Sequence, residues 1–329
     1  MNYAHRRRLL LAACLAAPFA LRAQPAAKPR RVGVLSLSVS SVEQAQYTRL
    51  LFASLLRKAG FEEGQNLTVE WRYAEGDTKR LPALADELVK LNVDVLVASF
   101  NDAIAAAQRA TRTIPIVMLN SLSPVEQGFV ASLARPGGNI TGTAWSSPET
   151  AAKILSVLKE AAPRAKRVAL IGNPAMLGAH DFGVVTEKAA AALGIEAQFF
   201  SATKPEEVAP MLARVAAAKP QALYVALDTV LAGEMRVIAD FALKRKLPAI
   251  GTVEQFADAG GLLSYGPDFM EIGLHTAEYV ARILGGAKPA DLPVVLPSKY
   301  ELLINARTAK AIGLKVPQSL LLQASRVIE

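Results

Sequence analysis

The sequence predicts an α/β protein made of two lobes, each a parallel β-sheet covered by helices, and three observations carry that expectation. Short apolar strand patterns alternate with longer amphipathic helix patterns through most of the 329 residues. That alternation builds parallel sheets clothed on both faces. The rhythm runs once to Ala144 and restarts at Pro148, giving two βα runs of similar size rather than one oversized sheet. Composition agrees: 52% hydrophobic and 20% charged residues supply apolar material for two ordinary cores and leave too little charge for disorder.

The first run starts with a strand at Val32–Leu37 and a helix from Glu43 to Ala59. Strand Leu67–Tyr73, helix Lys79–Leu91, strand Val93–Ala98, helix Asp102–Thr111 and strand Ile114–Leu119 follow. Phe129–Ala134 reads as a short helix closed by Arg135-Pro-Gly-Gly138, after which Asn139–Ala144 runs extended. The second run has a helix from Pro148 to Ala162, strand Val168–Gly172, a helix to Leu193 and strand Ala197–Ser201. It continues with a helix from Pro205 to Ala218, strand Ala222–Leu227, a helix to Lys246 and strand Ala249–Val253. A strand ending at Tyr265 gives way to a helix at Phe269–Leu284, and a strand-and-helix unit, Val294–Ile312, closes the chain.

The first residues are excluded from the fold. Arg6-Arg7-Arg8 precedes Leu9–Leu21, a stretch with no charge, and Ala23 offers a small residue before a cut. This reads as a secretory leader of residues 1–23, with the run too short and too interrupted by Pro18 to span a membrane. Cys14 is the only cysteine. Leu11-Ala-Ala-Cys14 superficially matches a lipidation box, but the apolar run continues past Cys14, which reads as a small hydrophobe within the leader. Loss of Arg6, Arg7, Arg8 and Arg22 lowers the formal net charge from +8 by four. The remaining basic residues are scattered along helix patterns, so nucleic acid is not an expected partner.

Enzyme motifs are absent. The first strand has no G-x-G-x-x-G turn, and the chain has no Walker A sequence, no G-x-S-x-G elbow and no H-E-x-x-H or C-x-x-C spacing. No catalytic residue, metal or cofactor is expected. Open α/β sheets bind ligands beyond the carboxyl ends of their strands, which gives a set of candidate ligand-binding residues by position: Ser38, Ser40, Phe100, Asn101, Asn120, Ser121, Trp145, Asn173, Asp228, Thr229, Glu254 and Tyr265. They combine neutral hydrogen-bonding groups, three aromatic walls and two carboxylates, a mixture suited to a small, partly apolar molecule with polar ends. Several have plainer readings. Asn101, Asp102 and Asp228 can cap helices, Asn173 can serve the turn at Pro174, and Asp268 reads as a helix cap. Trp71 reads as packing, while Trp145 fits hinge packing and ligand stacking equally.

Many ordered segments resemble one family. They include Gly60-Phe-Glu-Glu-Gly-Gln-Asn-Leu67, Tyr73-Ala-Glu-Gly76, Arg80-Leu-Pro-Ala-Leu-Ala85 and Leu133-Ala-Arg-Pro-Gly-Gly-Asn-Ile-Thr-Gly142. Ala259-Gly-Gly-Leu-Leu-Ser-Tyr-Gly-Pro-Asp268, Tyr279-Val-Ala-Arg-Ile-Leu284 and Ile304-Asn-Ala-Arg-Thr-Ala-Lys310 continue the series. They resemble the ABC-transporter substrate-binding proteins of the periplasmic-binding-protein type I class, in the branch related to tryptophan and aromatic-amino-acid binders. The resemblance implies two Rossmann-like lobes joined by a three-crossing hinge, with the Phe269–Leu284 helix returned to the first lobe. The expected division is 24–30 as a lead-in, 31–145 plus 268–288 as the first lobe, and 146–267 plus 289–329 as the second.

Two departures from the family pattern touch the site. Ser123 stands where an acid is usual, and Ser99-Phe-Asn-Asp102 replaces a Gly-Thr-Pro-Ala-like loop. Both shift the balance from an ammonium contact toward an aromatic or apolar ligand body. The expected function is that of a periplasmic, non-enzymatic receptor, monomeric, which closes on an amino acid or aromatic carboxylate and delivers it to an ABC permease in the inner membrane. Asp228 or Glu254 would meet any ammonium. A sensing subunit for a membrane kinase, or an exported α/β enzyme, are the alternatives.

Overall fold

The computed structural model describes residues 29–37, 42–144, 148–173, 181–226 and 229–329. The expected leader, Ser38, Ser40, Trp145 and Asp228 lie outside them. The first run forms β1 (Arg30–Ser36), α1 (Val42–Lys58), β2 (Leu67–Tyr73), α2 (Leu81–Lys90), β3 (Val95–Ser99), α3 (Phe100–Ala110), β4 (Ile116–Ser121) and β5 (Ile140–Ala144). These strands make a five-stranded sheet in the order β2-β1-β3-β4-β5, with every pair parallel. Burial on both faces explains the unbroken apolar runs: all of β3 is buried.

The second run supplies α4 (Pro148–Ala161), β6 (Arg167–Gly172), α5 (Asp181–Ala192), β7 (Glu196–Ser201), α6 (Val208–Ala217), β8 (Ala222–Val225), α7 (Thr229–Gly233) and α8 (Met235–Lys244). After them come β9 (Ala249–Gly251), α9 (Glu254–Asp258), β10 (Leu263–Pro267), α10 (Phe269–Leu284), β11 (Tyr300–Asn305), α11 (Ala306–Ile312), α12 (Gln318–Gln323) and β12 (Arg326–Ile328). The seven-stranded sheet runs β12-β11-β10-β9-β8-β6-β7, and β10–β11 is its antiparallel pair.

Helix α10 does not stay with the strand that feeds it. Ala277, Val280, Ile283 and Leu284 pack in one apolar cluster with Val32, Val34, Val95 and Val97 of the first sheet. Its start is fixed by Asp268, whose carboxylate accepts from the Met270 and Glu271 amides at 2.8 and 3.3 Å. Ile272 in its first turn and Leu122 after β4 join Ile154 and Leu155 of α4 in a second cluster, so apolar contact links the two halves beside the crossings.

Two expectations are corrected. Residues 129–134 form turns, not a helix, because the Phe129 amide donates to Pro124 O at 2.9 Å and the Ala131 amide to Pro136 O at 3.0 Å. The last long strand begins at Tyr300 rather than Val294. The stretch before it pairs with β5 of the first sheet: Val295 N donates to Gly142 O at 2.9 Å and Ala144 N to Val295 O at 3.0 Å. The physical reason is the edge of β5, whose outward backbone groups need partners and take them from residues 292–295. Helices α9 and α12 and strand β12 had no counterpart in the sequence patterns.

Candidate functional site

All strands of the first sheet end on the same side, and that edge is unusually strained. Phe100, Asn120 and Ser123, at or just beyond the ends of β3 and β4, hold φ of 63°, 62° and 49°. Left-handed backbone at a bulky residue such as Phe100 costs about 1–3 kcal/mol and persists only where surrounding structure imposes it. The imposing device is visible beneath Asn120. The β4–β5 register shifts between Met118 and Ser121, a bulge that re-aims the strand end. Gly142 of β5 makes this possible: at φ +133° a Cβ there would lie 2.3 Å from Met118 O. Thr143 then supports the strand end, its Oγ1 donating to Met118 O at 3.2 Å and accepting from the Asn120 amide at 3.4 Å.

The same edge carries buried polar atoms with no partner: Tyr73 Oη, Asp102 Oδ2 and Asn120 Oδ1. Each such atom costs about 1–3 kcal/mol. Burial raises Asp102 to about pKa 6 against the opposing pull of Arg109. Asp102 lies in the first turn of α3 with its Oδ2 unpartnered; the sequence pattern allows it a capping role. Tyr73 stacks on Trp71 at 6.1 Å, with the Arg49 guanidinium 5.6 and 5.5 Å from the two ring centroids. Trp71 also meets the edge of Phe52, which is packing.

The second sheet's edge is built by close approach. A Cβ on Gly266 would lie 1.9 Å from Thr252 O, so only glycine lets β10 pass the end of β9. Gly251 and Gly261 likewise leave room for the Phe256 ring, which a Cβ would meet at 2.6 and 2.3 Å. Between these glycines Tyr265 stacks on Tyr300 of β11, centroids 5.7 Å apart and planes 15° from parallel, worth about 0.5–1.5 kcal/mol beyond the area buried. Burial, then the neighbouring Tyr300, holds the Tyr265 hydroxyl above the ordinary phenol range, so it remains a donor at neutral pH. The Tyr300 hydroxyl lies 3.5 Å from Thr150 Oγ1 on α4. Tyr300 was not among the sequence candidates; its place beside Tyr265 depends on an antiparallel register that periodicity does not reveal.

The other expected residues fall into four groups. Phe100 and Asn120 stand on the strained edge just described. Asn101 and Ser121 are buried and engaged within the scaffold: Asn101 Oδ1 accepts from Ser121 Oγ at 3.2 Å and the Leu122 amide at 2.9 Å, while its Nδ2 donates to Leu122 O at 2.9 Å. Asn173 is buried directly after β6, Thr229 is the first residue of α7, and Glu254 is exposed at the start of α9. Ser38, Ser40, Trp145 and Asp228 lie outside the described residues. Among those described, no group of three or more His, Cys, Asp or Glu residues could hold a metal, and no helix is long and apolar enough to cross a membrane.

Two Rossmann-like lobes, each closing its core with a mostly parallel sheet and linked through the α10 crossing, define a protein of the periplasmic-binding-protein type I fold. The chain belongs to the ABC transporter substrate binding protein family, whose profile matches residues 46–328. A tyrosine-binding protein of Clostridioides difficile is 27% identical over 271 residues, covering 80% of this chain and 76% of that one. Among solved structures, a conserved domain protein from Vibrio cholerae superposes with a TM-score of 0.82 at 30% identity, covering 91% of this chain and all of the other. An ABC domain from Streptococcus pneumoniae in complex with L-Trp gives 0.79 at 24% identity over 92% of this chain and all of its own.

Proposed function

We propose that this chain is the periplasmic receptor of an ABC importer, which closes its two lobes on an aromatic amino acid and presents it to a permease in the inner membrane. The observation that carries the reading is the unpartnered Asn120 Oδ1, buried on a left-handed strand end. An acceptor left unsatisfied in so constrained a position is matched by a ligand that brings a donor. Asp102 Oδ2, equally without a donor, supplies the negative charge missing at Ser123 and is a candidate partner for an ammonium alongside Asp228 and Glu254. Ring selectivity falls to Phe100 and to the Tyr265–Tyr300 pair. A relative that is a tyrosine-binding protein supports the aromatic assignment.

Micromolar capture requires about −8 kcal/mol, within reach of a few hydrogen bonds to groups already desolvated plus one stacked ring. Calorimetric titration with L-tyrosine, L-tryptophan, tyramine and 3-(4-hydroxyphenyl)propanoate tests the reading. Binding of the two amino acids, with at least about ten-fold weakening when either the carboxylate or the ammonium is missing, is the expected result. Binding of sugars in preference to all four ligands would overturn it.

A further inference from the structure

Asp268-Phe-Met-Glu271 has the spacing of a capping box, in which the fourth residue normally reaches back to the amide of the first. Here that return bond is absent, because the Asp268 amide already donates to Lys299 O at 3.1 Å. That bond prolongs the β10–β11 ladder one step past its Pro267–Tyr300 pair, so two crossings between the lobes run side by side as an antiparallel ribbon. The Glu271 carboxylate is turned onto this ribbon instead. It accepts from Ser298 Oγ at 2.6 Å, from the Ser298 amide at 3.2 Å to each oxygen, and from the Lys299 amide at 3.3 Å.

We propose that Glu271 is a positioning residue for ligand capture, a clamp that ties the first turn of a first-lobe helix to the third crossing and so fixes where the hinge bends. The clamp rests on the two-lobed capture reading above. Helix α10 is packed into the first sheet, whereas Ser298 and Lys299 lead into β11 of the second; the carboxylate therefore bonds across the boundary between moving parts. Charge-assisted bonds from three donors are about twice as strong as neutral ones, and they hold Glu271 below the ordinary carboxylate range, the Ser298 hydroxyl contributing most. The titratable neighbours are His275, with Nε2 at 3.9 Å, and Lys299, whose Nζ is drawn away to Glu301 at 2.8 Å. With residues 298–299 held against α10, bending at this crossing falls beyond Lys299, where β11 begins, and opposite it at Pro267 of β10. Tyr300, the next residue, is stacked on Tyr265 within the second sheet.

The test is the spread of lobe-to-lobe distances, read by pulsed electron resonance between nitroxides on exposed positions Lys90→Cys and Lys244→Cys of the mature protein, without ligand. Glu271→Ala is expected to broaden the distribution about two-fold, and Ser298→Ala, which removes one donor, by less. Apparent L-tyrosine affinity should fall about ten-fold in Glu271→Ala, since a looser hinge loses more freedom on closing. An unchanged width in both variants, even with a lowered melting temperature, would overturn the clamp and leave a merely structural contact. If Glu271→Ala fails to fold, the width in Ser298→Ala decides alone. Should the wild-type distances ignore L-tyrosine, the capture reading fails while the ligand-free comparison still decides the clamp.

Discussion

The carboxyl edges of the two sheets are made from the same βα repeat and end in opposite ways. On the first, ordinary side-chain-bearing residues occupy left-handed backbone: Glu75, Phe100, Asn120 and Ser123, with φ between 49° and 63°. Unpartnered atoms of Tyr73, Asp102 and Asn120 share that edge. In the second run, the left-handed residues other than glycine among those described are Lys219 and Lys246, each just past a helix and before the next strand, where such backbone is an ordinary stop, as it is at Asn92 in the first run. The tight places around Phe256 and Thr252 in the second sheet are occupied by Gly251, Gly261 and Gly266, and among the described residues of that half the unpartnered buried side-chain groups are the neutral hydroxyls of Thr186, within α5, and Ser264, within β10. The first edge holds strain and unmet polarity; the described part of the second meets its close approaches with glycine. Under the capture reading, the first edge supplies what a ligand repays, and the second supplies a firm surface to close against.

Four substitutions bear on that contrast. Phe256→Ala should be the most damaging: the ring is buried between two glycines chosen for its shape, and its loss should cost about 3–5 kcal/mol in urea unfolding. A cost below about 1 kcal/mol would mean the second edge is not held by packing. Gly266→Ala should lose on the order of 3 kcal/mol, since the added carbon overlaps the Thr252 carbonyl. Asn120→Gly should act in the reverse sense, raising ligand-free stability by about 1 kcal/mol as the orphaned acceptor and the left-handed side chain vanish, while weakening L-tyrosine binding at least about ten-fold. A loss of both stability and binding would show that the first edge stores nothing.

The smallest effect concerns Asp102. Its pKa rises from the ordinary 3.8 to about 6 on folding, so the folded chain retains a proton that the unfolded chain releases. Its stabilising contribution is present below the unfolded value and disappears as pH rises through 6. Asp102→Asn should therefore melt higher than wild type at pH 8, with the difference closing as pH falls from 6 toward 4. A difference constant with pH would remove Asp102 from the strained set.

Much of the scaffold was legible because it is local. Helix Phe269–Leu284 announces itself through Asp268 at its cap and a regular apolar stripe, and the structure places it on those residues. The buried strands of both sheets are short apolar runs, visible without any partner. What escaped was set by residues distant in sequence. The 292–295 stretch reads as the start of a strand, and its pairing with β5 follows from an unfilled edge some 150 positions earlier. Asp102 looks like a helix-cap residue, and only the packing around it reveals what it lacks; Asn120 was a candidate by position, but its unpartnered Oδ1 shows only in the packing. Asn101 and Ser121 had the right polarity and the right address, yet bond to each other and to Leu122.

The pairing of residues 292–295 with β5 has a consequence for solubility. A bare outer strand invites a neighbouring chain to add to it, and a protein whose lobes move relative to each other risks baring one at each excursion. Here the segment that seals β5 is bonded at both ends of its bridge, Gly142 to Val295 and Val295 to Ala144, while Thr141 Oγ1 holds Leu292 O at 2.6 Å. The hinge chain leaves the first sheet only beyond this seal. Movement at the third crossing can proceed without opening a template for aggregation on that side.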